Sequence, residues 1–138
     1  MVLGCATGPV EKNDKQVIAT ENAPAAIGPY SQAIKMGNTI YLAGQIAIDP
    51  ASGKMIEGGI EEQTHRVLQN IRAVLNASGF SMNDVVQSHV FLSDLENYRA
   101  MNGVYATYFT DKPPARAAVQ VARLPLDAMV EIMVTAAK

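Results

Sequence analysis

Two charged side chains interrupt runs that are otherwise apolar or small, and they are the residues best placed to do chemistry. Arg116 lies in Ala115-Arg-Ala-Ala-Val-Gln-Val-Ala122, directly after Pro113-Pro114, and Glu131 lies in Met129-Val-Glu-Ile-Met-Val134. A charge inside an apolar strand is costly to bury unless it is paired or functional. Two readings fit these positions. A guanidinium is a planar fork that grips a carboxylate, and a carboxylate can take a proton from water. The pair therefore suits an anion clamp beside a general base. If the two strands form a hairpin about the Leu124-Pro125-Leu126-Asp127 turn, the same residues also lie close enough for a plain salt bridge. Position alone does not choose between them.

Other catalytic patterns are missing. His65 and His89 are the only histidines, on different elements and without Cys or paired carboxylates at ligand spacing, so no metal site is expected. The one cysteine, Cys5, makes an intrachain disulfide impossible, and a reducing compartment fits. No phosphate-cradling glycine loop or nucleophile-elbow serine is found. The net charge of −2 comes with no Lys/Arg cluster, which argues against nucleic acid and gives no reason to invoke a membrane surface. No run reaches the roughly 18 apolar residues that span a bilayer. Val2-Leu3-Gly4-Cys5 has a faint likeness to a lipoprotein cleavage site, but no charged and apolar segments precede it. No signal peptide is expected, and the expected location is cytoplasmic.

The elements that must position Arg116 and Glu131 follow from periodicity. Residues 1–15 show none and read as a loose extension that leaves one domain over 16–138. Gln16–Thr20, Ser31–Met36 and Thr39–Asp49 read as strands; the last alternates clearly, with Gly44 inside it. A glycine within a strand marks a bulge or a close approach. Ile60 to Ser78 reads as an amphipathic helix capped by Gly79, and Val85–Leu92 as a strand. Ser93 and Glu96 have capping-box spacing for a second helix, whose apolar face holds Met101, Val104, Tyr105, Tyr108 and Phe109. Ala115–Ala122 and Met129–Ala136 complete the strands. Two helices on one face of a mixed sheet make an α+β layer. The other face lacks a cover. With 49% hydrophobic and only 17% charged residues, the chain is expected to bury that face against further copies.

Several ordered motifs resemble one family. Gly28-Pro-Tyr-Ser-Gln-Ala33 is similar to an N-terminal signature of the RidA (YjgF/UK114) family. Gly37-Asn-Thr-Ile-Tyr-Leu-Ala-Gly-Gln-Ile46 is similar to the family's strand leading to its substrate-binding glycine. Pro114-Ala-Arg-Ala-Ala-Val-Gln-Val-Ala-Arg-Leu-Pro125 with Val130-Glu-Ile132 is similar to its C-terminal signature. The resemblance spans about residues 16–138. It implies a chorismate-mutase-like α+β fold, a homotrimer with clefts between subunits, and hydrolysis of 2-iminopropanoate, 2-iminobutanoate and their enamine tautomers without a cofactor. Non-catalytic binding of small acids and an RNA-directed activity, both described for relatives, are the rival readings.

The resemblance also implies roles. Arg116 matches the arginine that clamps the substrate carboxylate, and Gly44 the glycine whose N–H helps hold it. Glu131 matches the glutamate that activates water. Tyr30 and Asn102 match residues lining the cleft, and Ala118 a position contributing its backbone carbonyl. Two positions depart from many relatives: Ala118 replaces a cysteine, which puts thiol-dependent behaviour in doubt, and Ala43 replaces a serine, which removes a hydroxyl contact.

Overall fold

The structure, a computed structural model, describes residues 14–138; Cys5 and most of the expected N-terminal extension lie outside the described residues. One mixed sheet of six strands runs in the order β1-β2-β3-β8-β6-β7. β1 (Gln16–Ile18), β2 (Ala33–Met36) and β3 (Thr39–Leu42) form an antiparallel meander at one side. β8 (Val130–Ala137) joins β3 to β6 (Val85–Leu92), antiparallel to both, and β7 (Ala115–Gln120) lies parallel to β6 at the far edge. Two helices, α1 (Ile60–Ala77) and α2 (Tyr98–Tyr108), supply the second layer.

The apolar spacing of α1 produces its buried stripe. Val67, Leu68, Ile71, Val74 and Leu75 are fully buried and share one core with Met101 of α2 and Ile40, Val90, Ile132 and Val134 of the sheet. Gly79 ends α1 as the sequence indicates. Its positive φ of 79° lets its N–H reach Asn76 O and the Phe80 N–H reach Leu75 O, at 3.1 and 2.9 Å. Carbonyls at the helix end are thereby satisfied.

Three expectations need correction. The Thr39–Asp49 strand is broken: β3 stops at Leu42, Gln45 makes an isolated bridge to Ile132, and β4 (Ile48–Asp49) pairs with β5 (Lys54–Met55) in a separate ribbon. Side-chain alternation continued through the break, so the pattern hid it. The cap of the second helix is not Ser93 with Glu96. Asp94 accepts from the Glu96 N–H at 2.9 Å and opens a 3₁₀ turn, Leu95–Asn97, ahead of α2.

The third correction matters most. The last two strands do not pair as a hairpin, because β6 lies between β7 and β8. Parallel strands need a long crossover, and α2 provides it between β6 and β7. Arg116 is registered with Ser88, and Glu131 with Phe91. Ser88 and Phe91 are three residues apart, and successive strand positions point to opposite faces. Arg116 therefore faces the helices, and Glu131 the open side. A salt bridge between them within one chain is excluded. Among the described residues the ion pair found is Arg123–Asp127, at 2.7 Å on the surface.

The open sheet face is apolar in patches. Tyr41, Met133, Val119 and Val17 alternate with the core-facing positions of their strands and are exposed. No helix among the described residues is long and apolar enough to cross a membrane.

Candidate functional site

Glu131, the second residue of β8, projects into a cavity of about 350 Å³ whose wall also includes Tyr30, Gly44, Ile46 and Pro125. Burial raises its carboxyl above the ordinary glutamate range, and no opposing charge offsets that. Desolvation favours the neutral acid, and a carboxylate held in this way is a stronger base once ionised. The chain passes very close to it at Gly44. A methyl group there would collide with Glu131 Oε1 and lie 2.9 Å from its carboxyl carbon. Gly44 is thus a close approach, one of the two meanings its place in the sequence allowed. Its backbone N–H has no acceptor among the described residues, although both neighbours are bonded: the Ala43 N–H to Gln32 O and the Gln45 N–H to Ile132 O, each at 2.9 Å.

Gly44→Ala gives a sharp expectation. The φ at Gly44 is not positive, so alanine meets no backbone strain; the clash is with the end of a flexible side chain. The variant should fold with near wild-type thermal stability while Glu131 is displaced. Misplacing a reacting group by about 1 Å costs on the order of 10²-fold in rate. Turnover of the 2-imino acids that the sequence resemblance implies is the measurement, and a folded Gly44→Ala protein with turnover equal to wild type refutes this arrangement.

Buried amides hold the walls of the cavity. Gln32 accepts from the Thr20 N–H at 2.7 Å and donates to Pro24 O at 2.7 Å, fixing the loop before β2. Asn70 of α1 donates to Ile48 O at 2.9 Å, capturing the chain after it leaves the sheet. Gln63 of α1 accepts from the Met129 N–H at 2.9 Å, just ahead of Glu131. Each amide satisfies backbone groups that have left regular structure. Sequence reasoning missed all three. Their signal was polar side chains on the apolar stripe of α1, at Gln63 and Asn70, and a glutamine inside the 28–33 motif. Tyr30 is exposed at the mouth, its hydroxyl accepting from the Ile27 N–H at 3.2 Å.

Arg116 stands elsewhere, in a cavity of about 320 Å³ between β7 and α2 that also includes Asn102, Tyr105 and Pro114. Its Nη2 donates to the Tyr98 hydroxyl at 3.1 Å, and its guanidinium lies 4.6 Å from the centre of the Tyr105 ring. The Asn102 amide and Arg116 together hold the Tyr98 phenol below its ordinary range. Ala118 sits two residues beyond Arg116 on the same face, partly buried and opposite Val90. The structure thus brings Tyr30, Gly44 and Glu131 together, and Arg116 and Asn102 together. Within one chain it does not unite the two groups. His65 and His89 join neither; His65 Nδ1 lies 3.1 Å from the Tyr108 hydroxyl on the outer helix surface.

A family model described as Endoribonuclease L-PSP matches residues 20–138. The chain belongs to this family, the RidA family. The solved RidA of the Antarctic bacterium Psychrobacter sp. superposes with a TM-score of 0.86 at 45% identity, over 89% of this chain and 98% of that one. A RutC family protein of Pyrococcus horikoshii is 54% identical over 124 residues, 90% of this chain and 98% of the relative. The mouse protein named 2-iminobutanoate/2-iminopropanoate deaminase is 47% identical over 118 residues, 86% of this chain and 87% of its own.

Proposed function

We propose that the chain hydrolyses 2-imino acids and their enamine tautomers to 2-keto acids and ammonia, in clefts between the subunits of a homotrimer. The observation that carries this reading is the separation of two complementary half-sites. One holds a guanidinium with no acidic partner among the described residues, the other a desolvated carboxylate beside an open backbone N–H. Each lacks what the other has, and a second copy seated on the apolar open face is the way to join them.

In the proposed cleft, Arg116 of one subunit and the Gly44 N–H of the next grip the substrate carboxylate. That grip fixes the 2-carbon near Glu131. The imine nitrogen takes a proton to become an iminium. Glu131 accepts a proton from water as the water oxygen bonds to the 2-carbon. The carbinolamine then collapses: Glu131 returns its proton to the nitrogen, the C–N bond breaks as ammonia leaves, and the hydroxyl releases its proton to solvent, replacing the one the imine took up, as its oxygen becomes the keto group. These imines already hydrolyse in water, so positioning and modest acid–base help suffice, and no cofactor enters the scheme. Relatives named for this activity share nearly half of their aligned residues with the chain.

Two measurements test the reading. Generating 2-aminoacrylate in situ with and without the protein should show faster pyruvate release with it. Pyruvate binding without acceleration would instead establish a non-catalytic binding protein. Light scattering at micromolar concentration should give three times the 14.8 kDa chain mass, and a stable monomer would sink the composite cleft. A ribonuclease activity, suggested by the family model's description, is weighed against by the net charge of −2.

A further inference from the structure

The carboxylate clamp proposed above needs an arginine that is held still yet not neutralised. Among the described residues Arg116 has no acidic partner, and its contacts restrict its rotation. Its guanidinium lies over Tyr105 at 4.6 Å and beside Tyr98 at 5.6 Å, both within the roughly 6 Å over which a ring face attracts a cation. A guanidinium has donors only, so in its 3.1 Å bond to Tyr98 the phenol oxygen is the acceptor. We propose that Tyr105 and Tyr98 are positioning residues that orient Arg116 for a ligand carboxylate without cancelling its charge. This inference rests on the proposed function.

The sequence supports it through helical spacing. Tyr98, Asn102 and Tyr105 follow i, i+4, i+7 and share one face of α2, the face turned towards β7. Tyr105 is itself fixed, buried and packed on Phe109 with ring centres 4.5 Å apart. An acidic partner would orient Arg116 equally well. It would also occupy the place the ligand carboxylate must take. Neutral partners avoid that conflict. The roles of the two tyrosines differ. Tyr105 acts through its ring, because its buried hydroxyl has no hydrogen-bond partner among the described residues. Tyr98 acts through its hydroxyl, which accepts from Arg116 Nη2 at 3.1 Å.

The test compares pyruvate with pyruvamide, its uncharged analogue, on variants shown to keep wild-type assembly and melting temperature. Tyr105→Leu should weaken pyruvate binding and raise KM by roughly 3- to 30-fold, the range of a desolvated cation–ring contact. Pyruvamide binding and kcat should change little. Tyr105→Phe keeps the ring and should behave as wild type. Tyr98→Phe should weaken pyruvate alone. Placed in an Arg116→Ala background, Tyr105→Leu should add nothing further. Equal losses for both ligands, or losses that add fully to Arg116→Ala, would overturn the inference and leave Tyr105 as packing. Tyr98 is exposed, so its variants carry the test even if Tyr105→Leu does not fold. Unchanged pyruvate binding in Arg116→Ala alone would instead overturn the proposed function, and this inference with it.

Discussion

Glu131→Gln is expected to give a folded assembly that still binds pyruvate but turns over imine roughly 10²-fold or more slowly. Glutamine keeps the shape and volume and removes the base. Stability should move the other way. Burial raises the Glu131 carboxyl above its ordinary value, so in the window between the ordinary value and the raised one the folded chain binds more protons than the unfolded chain. The slope of stability with pH is then negative. The ionised side chain costs stability at neutral pH, and the cost is relieved as pH falls through the raised value. The neutral glutamine carries no such cost, so Glu131→Gln should match or exceed wild type in urea unfolding at pH 7. Wild-type turnover should fall on the acid side with a midpoint above the ordinary glutamate range, because the base must be ionised. A structural salt bridge predicts the reverse: Glu131→Gln would lose stability and keep its turnover. Full turnover in a folded Glu131→Gln protein refutes the base assignment.

Arg116→Ala is the second large effect. Truncating one partner of a buried charge pair costs roughly 2–5 kcal/mol, or about 30- to 4,000-fold in kcat/KM at 1.36 kcal/mol per tenfold. The loss should appear in pyruvate affinity as well as in turnover, which separates it from Glu131→Gln. Arg116→Lys should recover little. An ammonium is a point charge that cannot reproduce the planar fork, sit over the Tyr105 ring and reach the Tyr98 hydroxyl at once. Among the described residues Arg116 has no acidic partner to strand, so stability in the folded state should fall little. Turnover and pyruvate affinity equal to wild type in a folded Arg116→Ala protein would refute the clamp.

Local chemistry made much of this legible beforehand. α1 was readable to within a residue or two because its apolar stripe repeats over 18 residues and ends in a glycine free to take positive φ. Arg116 and Glu131 stood out because charge within an apolar strand demands a reason, and Gly44 because a glycine within a strand demands another. Those demands are local, so they can be heard in the sequence.

Pairing is not local, and there the reading stopped. Arg116 and Glu131 lie 15 positions apart, on either side of a turn, and a hairpin was the economical guess. β6, more than 20 residues upstream of Arg116, takes the place between them. Which strand fills a slot depends on how well whole faces bury against α1 and α2, and no short window of sequence records that. The same limit hid Gln63 and Asn70, polar residues whose partners are backbone groups 66 and 22 positions away. Residue types determined which groups can clamp a carboxylate or activate water. Tertiary structure alone decided that the two groups face opposite sides of one sheet, because a strand's two-residue alternation turns an odd difference in register into opposite directions.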